Sequence, residues 1–385
     1  MKNLTLLFEN LNPEHLGKDP IMVPYYLGRL LNCSVSIIYP RRSNNKELPL
    51  EYKGMKLIPL DLVNAKGLLK YSKIFYYLWK KANGIDYFMR FFHDDLTEVS
   101  CLIYKFRNPK GKVYIKMDKG AVNIKEEDDK RPFINELLHR IRSRLIDSRY
   151  KKSVDVITCE TTNVYNLVKK SKRDWFQWGD KLNVMQNGFD EELLQSMDIR
   201  ERAYDEKENV MITVARLGTP PKNTEFLLRV LAQVNLHDWK FYLIGPMEND
   251  FKPVVEQFYK ENPDKKDKVI FTGAVYDKKV LWDYYNKSKV FVLTSRWESS
   301  GLVFYEAKRF KNYILSTHVG AIDDVVENGK YGEIYNQEDD LSLCSFIQEI
   351  VDGKKDISLA YQYFSPSELS WEYVLSPVAE NLRDK

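Results

Sequence analysis

The sequence predicts an α/β fold of two domains, each a mainly parallel sheet flanked by helices. Three observations predict it. Short apolar, β-branched runs alternate with longer stretches whose apolar residues recur at three and four, the pattern of strands joined by crossover helices. The chain's 385 residues exceed what one ordinary core encloses. Charge divides the chain as well. Residues 1–180 carry 33 Lys and Arg against 21 Asp and Glu, net +12, and the remainder carries 26 against 34, net −8.

In the first half, strands are expected at 4–8, 35–39, 56–60, 87–91, 112–117, 154–159 and 182–185. Helices are expected at 21–31, 68–82, 96–106, 133–149 and 161–169. After the last of these strands, Asn187-Gly188-Phe189-Asp190 forms a turn that marks the domain boundary. The domains are therefore 1–187 and 188–365, with a closing helical segment 366–385. In the second half, strands are expected at 210–215, 240–244, 269–272, 290–294 and 313–316, and helices at 224–234, 253–261, 278–286, 302–310 and 341–351. No internal repeat or low-complexity segment interrupts them.

The stretch from Lys289 to Tyr335 is the most informative. VFVLTS is apolar on both faces, as a strand covered by helices on both sides must be. Glu298, Ser299, Ser300 and Gly301 then open a helix that contains Glu306, and YILST follows, ending in a turn at Gly320. A strand, a small-residue turn and a helix aim backbone N–H groups at an anion. Glu306 lies one to two turns inside that helix, within reach of a ribose attached to the anion.

Composition excludes several classes. The hydrophobic content of 44%, with 13% aromatics, suits packed interiors. No apolar run reaches membrane-spanning length, and the opening stretch NLTLLFEN is too short for a leader and carries Glu9. Cys33, Cys101, Cys159 and Cys344 are scattered, with no Cys-x-x-Cys pair, and read as reduced thiols of a cytoplasmic protein. The basic half invites nucleic acid, a membrane surface or anionic substrates. No nucleic-acid motif is visible, and the basic residues are not interleaved with aromatics as a stacking platform needs, so nucleic acid is excluded.

The stretch around Glu298 resembles the nucleotide-binding core of the retaining nucleotide-sugar glycosyltransferases of family 4. The resemblance rests on Glu298 and Glu306 with seven residues between them, then a strand, Val319, Gly320 and Asp324-Val325. The family's Gly-Phe-Gly after the first glutamate is Ser299-Ser300-Gly301 here. Nearly all of the second half takes part. VMITVARLGTPPKNTEFLLRVLAQV resembles the family's strand, loop and helix, with Arg216 and Lys222 where the family places its pyrophosphate-binding pair. KFYLIGPMEND resembles the next strand with its terminal glycine, Gly245. VIFTGAVYD places Gly273 to Val275 against the nucleotide base. Asn187-Gly188-Phe189-Asp190 resembles the family's entry to the second domain, with Gln186 where proline is common. SELSWEYVLSPVAENL, with Trp371 and Tyr373, resembles the closing helix that crosses back onto the first domain; simple packing explains those two aromatics equally.

The resemblance implies a GT-B fold, two Rossmann-like domains facing across a cleft that holds the active site. It implies transfer of a sugar, with retention, from a nucleotide diphosphate sugar, most readily a UDP-sugar, to a glycan, lipid-linked or protein-linked acceptor. It implies no metal cofactor, because Arg216, Lys222 and the helix N-terminus serve the diphosphate. Glu298 would face the donor sugar; Ser299, Ser300, Gly301, Leu302, Glu306, Gly245 and Val275 would line the nucleotide site. A catalytically silent partner subunit and a sugar-nucleotide epimerase stay open beside the transferase.

The first half matches less specifically. Asp118 follows the strand KVYIKM where relatives carry a histidine-containing turn, and it either holds an acceptor hydroxyl or is a solvated loop carboxylate. His93, Asp94 and Asp95 follow another strand and either line the cleft or belong to a plain loop. NLNPEHLGKDP holds only Gly17 of the family's glycine-rich loop. Residues 136–152 form an amphipathic basic helix, either a solvated domain face or a docking surface for anionic lipid on the inner face of the plasma membrane.

Overall fold

A computed structural model of the chain describes residues 1–121, 124, 148–171 and 177–383. They form two units, Met1–Gly188 with Ser370–Lys385, and Phe189–Leu369. The expected boundaries at 188 and 366 thus fall at 189 and 370. Most of the expected 133–149 helix and of the basic 136–152 segment lies outside the described residues.

The first unit runs β1 (Lys2–Leu7), α1 (Asp19–Leu30), β2 (Cys33–Pro40), β3 (Glu51–Tyr52), β4 (Met55–Leu60), α2 (Ser72–Lys81) and β5 (Tyr87–Arg90). It continues with α3 (Asp95–Arg107), β6 (Lys112–Met117), α4 (Ser148–Ser153), β7 (Val156–Cys159), α5 (Thr162–Lys170) and β8 (Leu182–Val184). The sheet order is β3-β4-β2-β1-β5-β6-β7-β8, parallel except for the β3–β4 hairpin. Because side chains alternate along a strand, β1 feeds two cores. Leu4 and Leu6 join Tyr26, Ile37 and Met89 on one face, and Leu7 joins Ile38, Phe88 and Ile115 on the other.

The second unit runs α6 (Glu191–Ser196), β9 (Glu208–Val214), α7 (Thr224–Gln233), β10 (Lys240–Ile244), α8 (Lys252–Glu261), β11 (Val269–Gly273) and α9 (Lys278–Lys287). Then come β12 (Ser288–Leu293), α10 (Leu302–Arg309), β13 (Tyr313–Thr317), α11 (Ile322–Val326), β14 (Gly332–Tyr335) and α12 (Asp340–Val351). Its strands pair in the order β11-β10-β9-β12-β13-β14, all parallel. The β14 strand, GEIY, escapes a search for apolar runs. A glycine admits it to the sheet edge, since a Cβ at Gly332 would lie 2.0 Å from the Ile314 carbonyl oxygen.

The chain then returns to the first unit as α13 (Trp371–Leu382). Trp371, Leu375, Val378, Ala379 and Leu382 are buried in the cluster that contains Tyr26 and Leu27 of α1, whereas Tyr373 is exposed. Trp371 lies directly on Gly188, where an added Cβ would come within 2.6 Å of the indole. No helix among the described residues is long and apolar enough to cross a membrane.

Trp371→Ala should cost the first unit about 3–5 kcal/mol, the range for truncating a buried aromatic ring. Denaturant titration of the full chain measures it. Tyr373→Ala, at an exposed position of the same helix, should shift the midpoint far less.

Candidate functional site

In the second unit β9 is the first strand and lies between β10 and β12, so successive crossovers leave it in opposite directions. That topology opens a crevice at the carboxyl ends of β9 and β12. The loop after β9 is closed by its own small residues. The Gly218 N–H donates to Thr224 Oγ1 (3.0 Å) and the Thr219 hydroxyl donates to the Arg216 carbonyl (2.9 Å). Thr294, just past β12, donates to the Lys222 carbonyl (3.0 Å) and ties the two loops together.

Lys222 Nζ then donates to Glu298 Oε1. The same oxygen accepts the Ser295 hydroxyl at 2.7 Å. Both side chains are largely buried, so the pair is shielded from salt. Arg216 is exposed on the same edge, with no ion-pair partner among the described residues.

Glu298 precedes α10 rather than belonging to it. Gly301, at φ +87°, turns the chain into the helix. The Ser300 hydroxyl is within hydrogen-bond distance of Tyr305 Oη (3.1 Å), and its carbonyl accepts the Ala321 N–H (2.9 Å). Ser299 is exposed, and Leu302 is half-buried at the first helical position. Gly320 packs against this loop so tightly that a Cβ would lie 2.5 Å from the Ser300 carbonyl oxygen and 3.0 Å from Glu298 Cβ. The Phe304 N–H closes on the Gly301 carbonyl (3.0 Å), while the N–H groups of Leu302 and Val303 before it have no residue one turn back within the helix to bond, and the helix dipole adds partial positive charge there.

Glu306 is the fifth residue of α10. Its Oε1 accepts Lys278 Nζ and the Trp282 indole N–H (3.1 Å), both from α9. The sequence reading missed Lys278 and Trp282; a cation opening the preceding helix was the available signal. Gly245, at φ +142°, brings β10 so close that a Cβ would lie 1.9 Å from the Ala215 oxygen, and its N–H donates to the Gly273 carbonyl (3.0 Å). That carbonyl therefore serves the sheet. The Val275 side chain is half-buried against the apolar cluster that includes Trp282. A groove of about 640 Å³ lined by Asp198, Arg200, Arg202, Lys279 and Asp283 shares no residue with this set.

The first unit has its own polar centre. Asp118, at the end of β6, is half-buried, and its carboxylate lies with those of Asp19 and Glu160 so that one oxygen of each falls within 4.8 Å of the others. It is therefore no solvated loop carboxylate. Lys116, fully buried in β6, donates to Asp19 Oδ2 (2.9 Å) and to Glu160 Oε1, and Asn187 Nδ2 donates to Glu160 (3.2 Å). Lys116, Glu160 and Asp19 were missed, although a lysine inside the apolar run VYIKM is a visible anomaly. Gly17, at φ +86°, leads into α1 with no atom near a hypothetical Cβ, so it supplies conformation rather than space.

His93 lines no open surface. It is buried, its ring 5.8 Å from Tyr150 and 5.2 Å from Trp178, and burial holds its pKa well below the ordinary histidine value. Asp94 caps α3 through the Thr97 N–H (2.8 Å) and lies 3.6 Å from buried Arg90, while Asp95 is exposed.

A family model described as "Glycosyl transferases group 1" matches residues 196–360, all within the second unit. A Klebsiella pneumoniae protein, "Uncharacterized 41.2 kDa protein in cps region", is 31% identical over 148 residues. That match spans 38% of this chain and 37% of the relative. The lipopolysaccharide outer core galactosyltransferase WaaB, in its apo form, superposes over 99% of both chains with a TM-score of 0.69 at 14% identity. HepE of Anabaena in complex with UDP covers 99% of both at 0.66 and 16%, and its UDP-glucose complex gives 0.65 and 15%. The fold is GT-B, two Rossmann-like domains.

The buried cluster sets a pH signature. Burial raises the Glu160 pKa from 4.5 to about 8; Lys116 opposes the rise, and Asp118 and Asp19 reinforce it. Between those values the folded chain keeps a proton that the unfolded chain has released, so this group's contribution falls as pH rises from 4.5 to about 8. Glu160→Gln removes the titration. The stability of the wild type minus that of the variant, from urea midpoints, should decline across this window and be flat below it. A difference that rises across the window overturns the assignment.

Proposed function

We propose that this chain is a retaining glycosyltransferase. It moves a sugar from a nucleotide diphosphate sugar, a UDP-sugar first, to an acceptor hydroxyl in cell-surface polysaccharide or glycoconjugate synthesis. The observation that carries the reading is the meeting of Lys222 with Glu298 at the carboxyl ends of β9 and β12, with Arg216 exposed on the same edge. Support comes from the family match, which contains all three residues, and from HepE, whose structures hold UDP and UDP-glucose. The Klebsiella relative's place in a cps region favours a polysaccharide acceptor.

As the glycosidic bond breaks, negative charge grows on the departing diphosphate. Cations fixed beforehand stabilise that charge more in the transition state than in the bound donor. Arg216 offers a planar fork to phosphate oxygens and Lys222 a point charge. Glu298 holds Lys222 in place and faces the donor sugar. The N–H groups at the start of α10 take a phosphate oxygen, and Glu306 accepts a ribose hydroxyl while Trp282 and Lys278 hold its carboxylate. The acceptor hydroxyl attacks from the face the diphosphate leaves, and a departing phosphate oxygen takes its proton. Asp118 serves the acceptor. The cations of the site take the role a metal would otherwise play.

Arg216→Ala and Lys222→Ala should each lower turnover of a UDP-sugar by roughly 10²-fold or more, the scale of losing one preorganised charge donor. Near-normal turnover in both variants overturns the diphosphate assignment.

Glu306→Gln should weaken UDP binding by about ten-fold, the loss of one charge-assisted hydrogen bond. Titration calorimetry reads it directly. Unchanged affinity refutes the ribose role while leaving the diphosphate role standing.

A further inference from the structure

We propose that the exposed aromatic and basic face formed by α2, α3 and the turn before α2 docks on the surface of an anionic lipid bilayer. The face is apolar where an isolated domain helix would be polar. Leu69 is 72% exposed, Tyr76 63%, Trp79 42% and Phe106 72%. Trp79 and Phe106 form one surface, and Tyr76 lies three residues before Trp79 on the same helix. The Trp79 and Phe106 rings stack at 5.5 Å, and the Arg107 guanidinium lies 4.8 Å from the Trp79 ring centroid while its Nε donates to the Trp79 carbonyl (3.2 Å). On α2, Ile74 and Leu78 go to the core, while Lys73, Tyr76 and Lys80 face outward at helical spacing.

The charge is one-sided. Residues 62–85 hold five lysines and no acid, and residues 99–117 hold five Lys and Arg and no acid. Some of these are already engaged. Lys73 is 3.6 Å from Asp61, Lys105 and Lys112 pair with Asp155, and Lys116 is buried. Lys66, Lys80, Lys81 and Lys110 are exposed without an acidic partner among the described residues. Rings flanked by unpaired lysines match the bilayer interface, where aromatic side chains settle among headgroups and lysines meet anionic lipid. Single-stranded nucleic acid would need open ring faces, and Trp79 already packs against Phe106 and Arg107. The residues named here lie outside the basic 136–152 segment in sequence, and their docking does not depend on the proposed reaction.

Flotation of the full chain with phosphatidylcholine vesicles, with and without about one third phosphatidylglycerol, tests the inference. The chain should float with the anionic vesicles at low salt, not with neutral ones, and should release as ionic strength rises. Trp79→Ser with Phe106→Ser should lower binding. Lys80→Glu with Lys81→Glu should lower it at least roughly 25-fold, at about five-fold for each lost lysine. Every substituted residue is exposed, so the thermal midpoint should stay near wild type. Lys252→Glu with Lys260→Glu, on exposed positions of α8, should leave flotation unchanged. Failure to float at low salt overturns the proposal. So does flotation that both variant pairs leave intact, because another surface then docks. Self-association of the wild type that Trp79→Ser abolishes, without lipid binding, overturns it in favour of a second copy of the chain.

Discussion

Everything in the second unit depends on one constraint: β9 pairs with β12 as well as with β10. In a parallel sheet every strand delivers its carboxyl end to the same edge. The pairing brings Lys222 and Glu298, 76 residues apart, to one point on that edge. The neighbouring glycines follow from the same demand for closeness. Gly245 lets β10 approach the Ala215 carbonyl, and Gly320 lets the turn after β13 press on the Ser300–Glu298 loop. A side chain at Gly245 would push β10 off the end of β9, and one at Gly320 would push the turn after β13 off the Glu298–Ser300 loop, so the two positions are as much part of the site as the charges are.

The first unit meets a harder electrostatic problem by the same geometry. Two cations are fully buried at the ends of adjacent strands, Arg90 in β5 and Lys116 in β6. Arg90 donates to the Leu7 carbonyl (2.6 Å) and to Glu9 (3.0 Å), which covers its charge. Lys116 has three carboxylates around it, more than one ammonium balances. Burial first, and the excess of carboxylates second, raise the pKa of Glu160, the most enclosed of the three, so that it holds a proton over a wider pH range than a free carboxyl. The carboxyl edge of this sheet thus carries a polar cluster that is fully buried at Lys116 and Glu160 and partly open at Asp19 and Asp118, and hydrogen bonds there are stronger than in water.

How much of this was legible in the sequence follows from which forces act locally. Buried strands such as VFVLT announce themselves because both faces are apolar, and α7 because its apolar residues recur at helical spacing. The GEIY strand and the short α6 and α11 were not legible, since neighbours across the sheet or the loop hold them. Helix starts shifted for similar reasons. Pro20 sits in the first turn of α1, before the expected start, and residues Gly67–Tyr71 close as a 3₁₀ turn ahead of α2. In the candidate site, Glu298, Glu306, Arg216 and Lys222 were found through a resemblance and Asp118 through its place at a strand end. The partners that orient them were not, because Ser295, Lys278, Trp282 and Glu160 act through contacts that only the folded sheet creates. The aromatic face of α2 was missed for the opposite reason. KYSKIFYYLWKK interleaves basic residues with aromatics, which corrects the expectation that no basic stretch does so, and helical spacing alone reads such a run as core.

Net charge sharpens the reading of the donor site. The second unit, residues 189–369, carries 23 Lys and Arg against 31 Asp and Glu, so its distant field repels a diphosphate. At physiological ionic strength that repulsion fades within about 8 Å. Attraction has to come from groups closer than that and partly shielded from solvent. Lys222 and Lys278 meet the condition, each held against a largely buried glutamate. Those two glutamates cost the site positive charge before a donor arrives. They also keep the ammonium groups ordered in a region where long side chains would otherwise lose about 2 kcal/mol of rotamer freedom on binding. On the proposed reading a diphosphate would then meet cations already in place, and the glutamates would be left to accept hydroxyls. On the proposed reading, an acidic unit with a few immobilised cations at its strand ends discriminates by position: the net charge gives an anion no general attraction, and Lys222, fixed against Glu298 on the edge that also carries Arg216, supplies it locally.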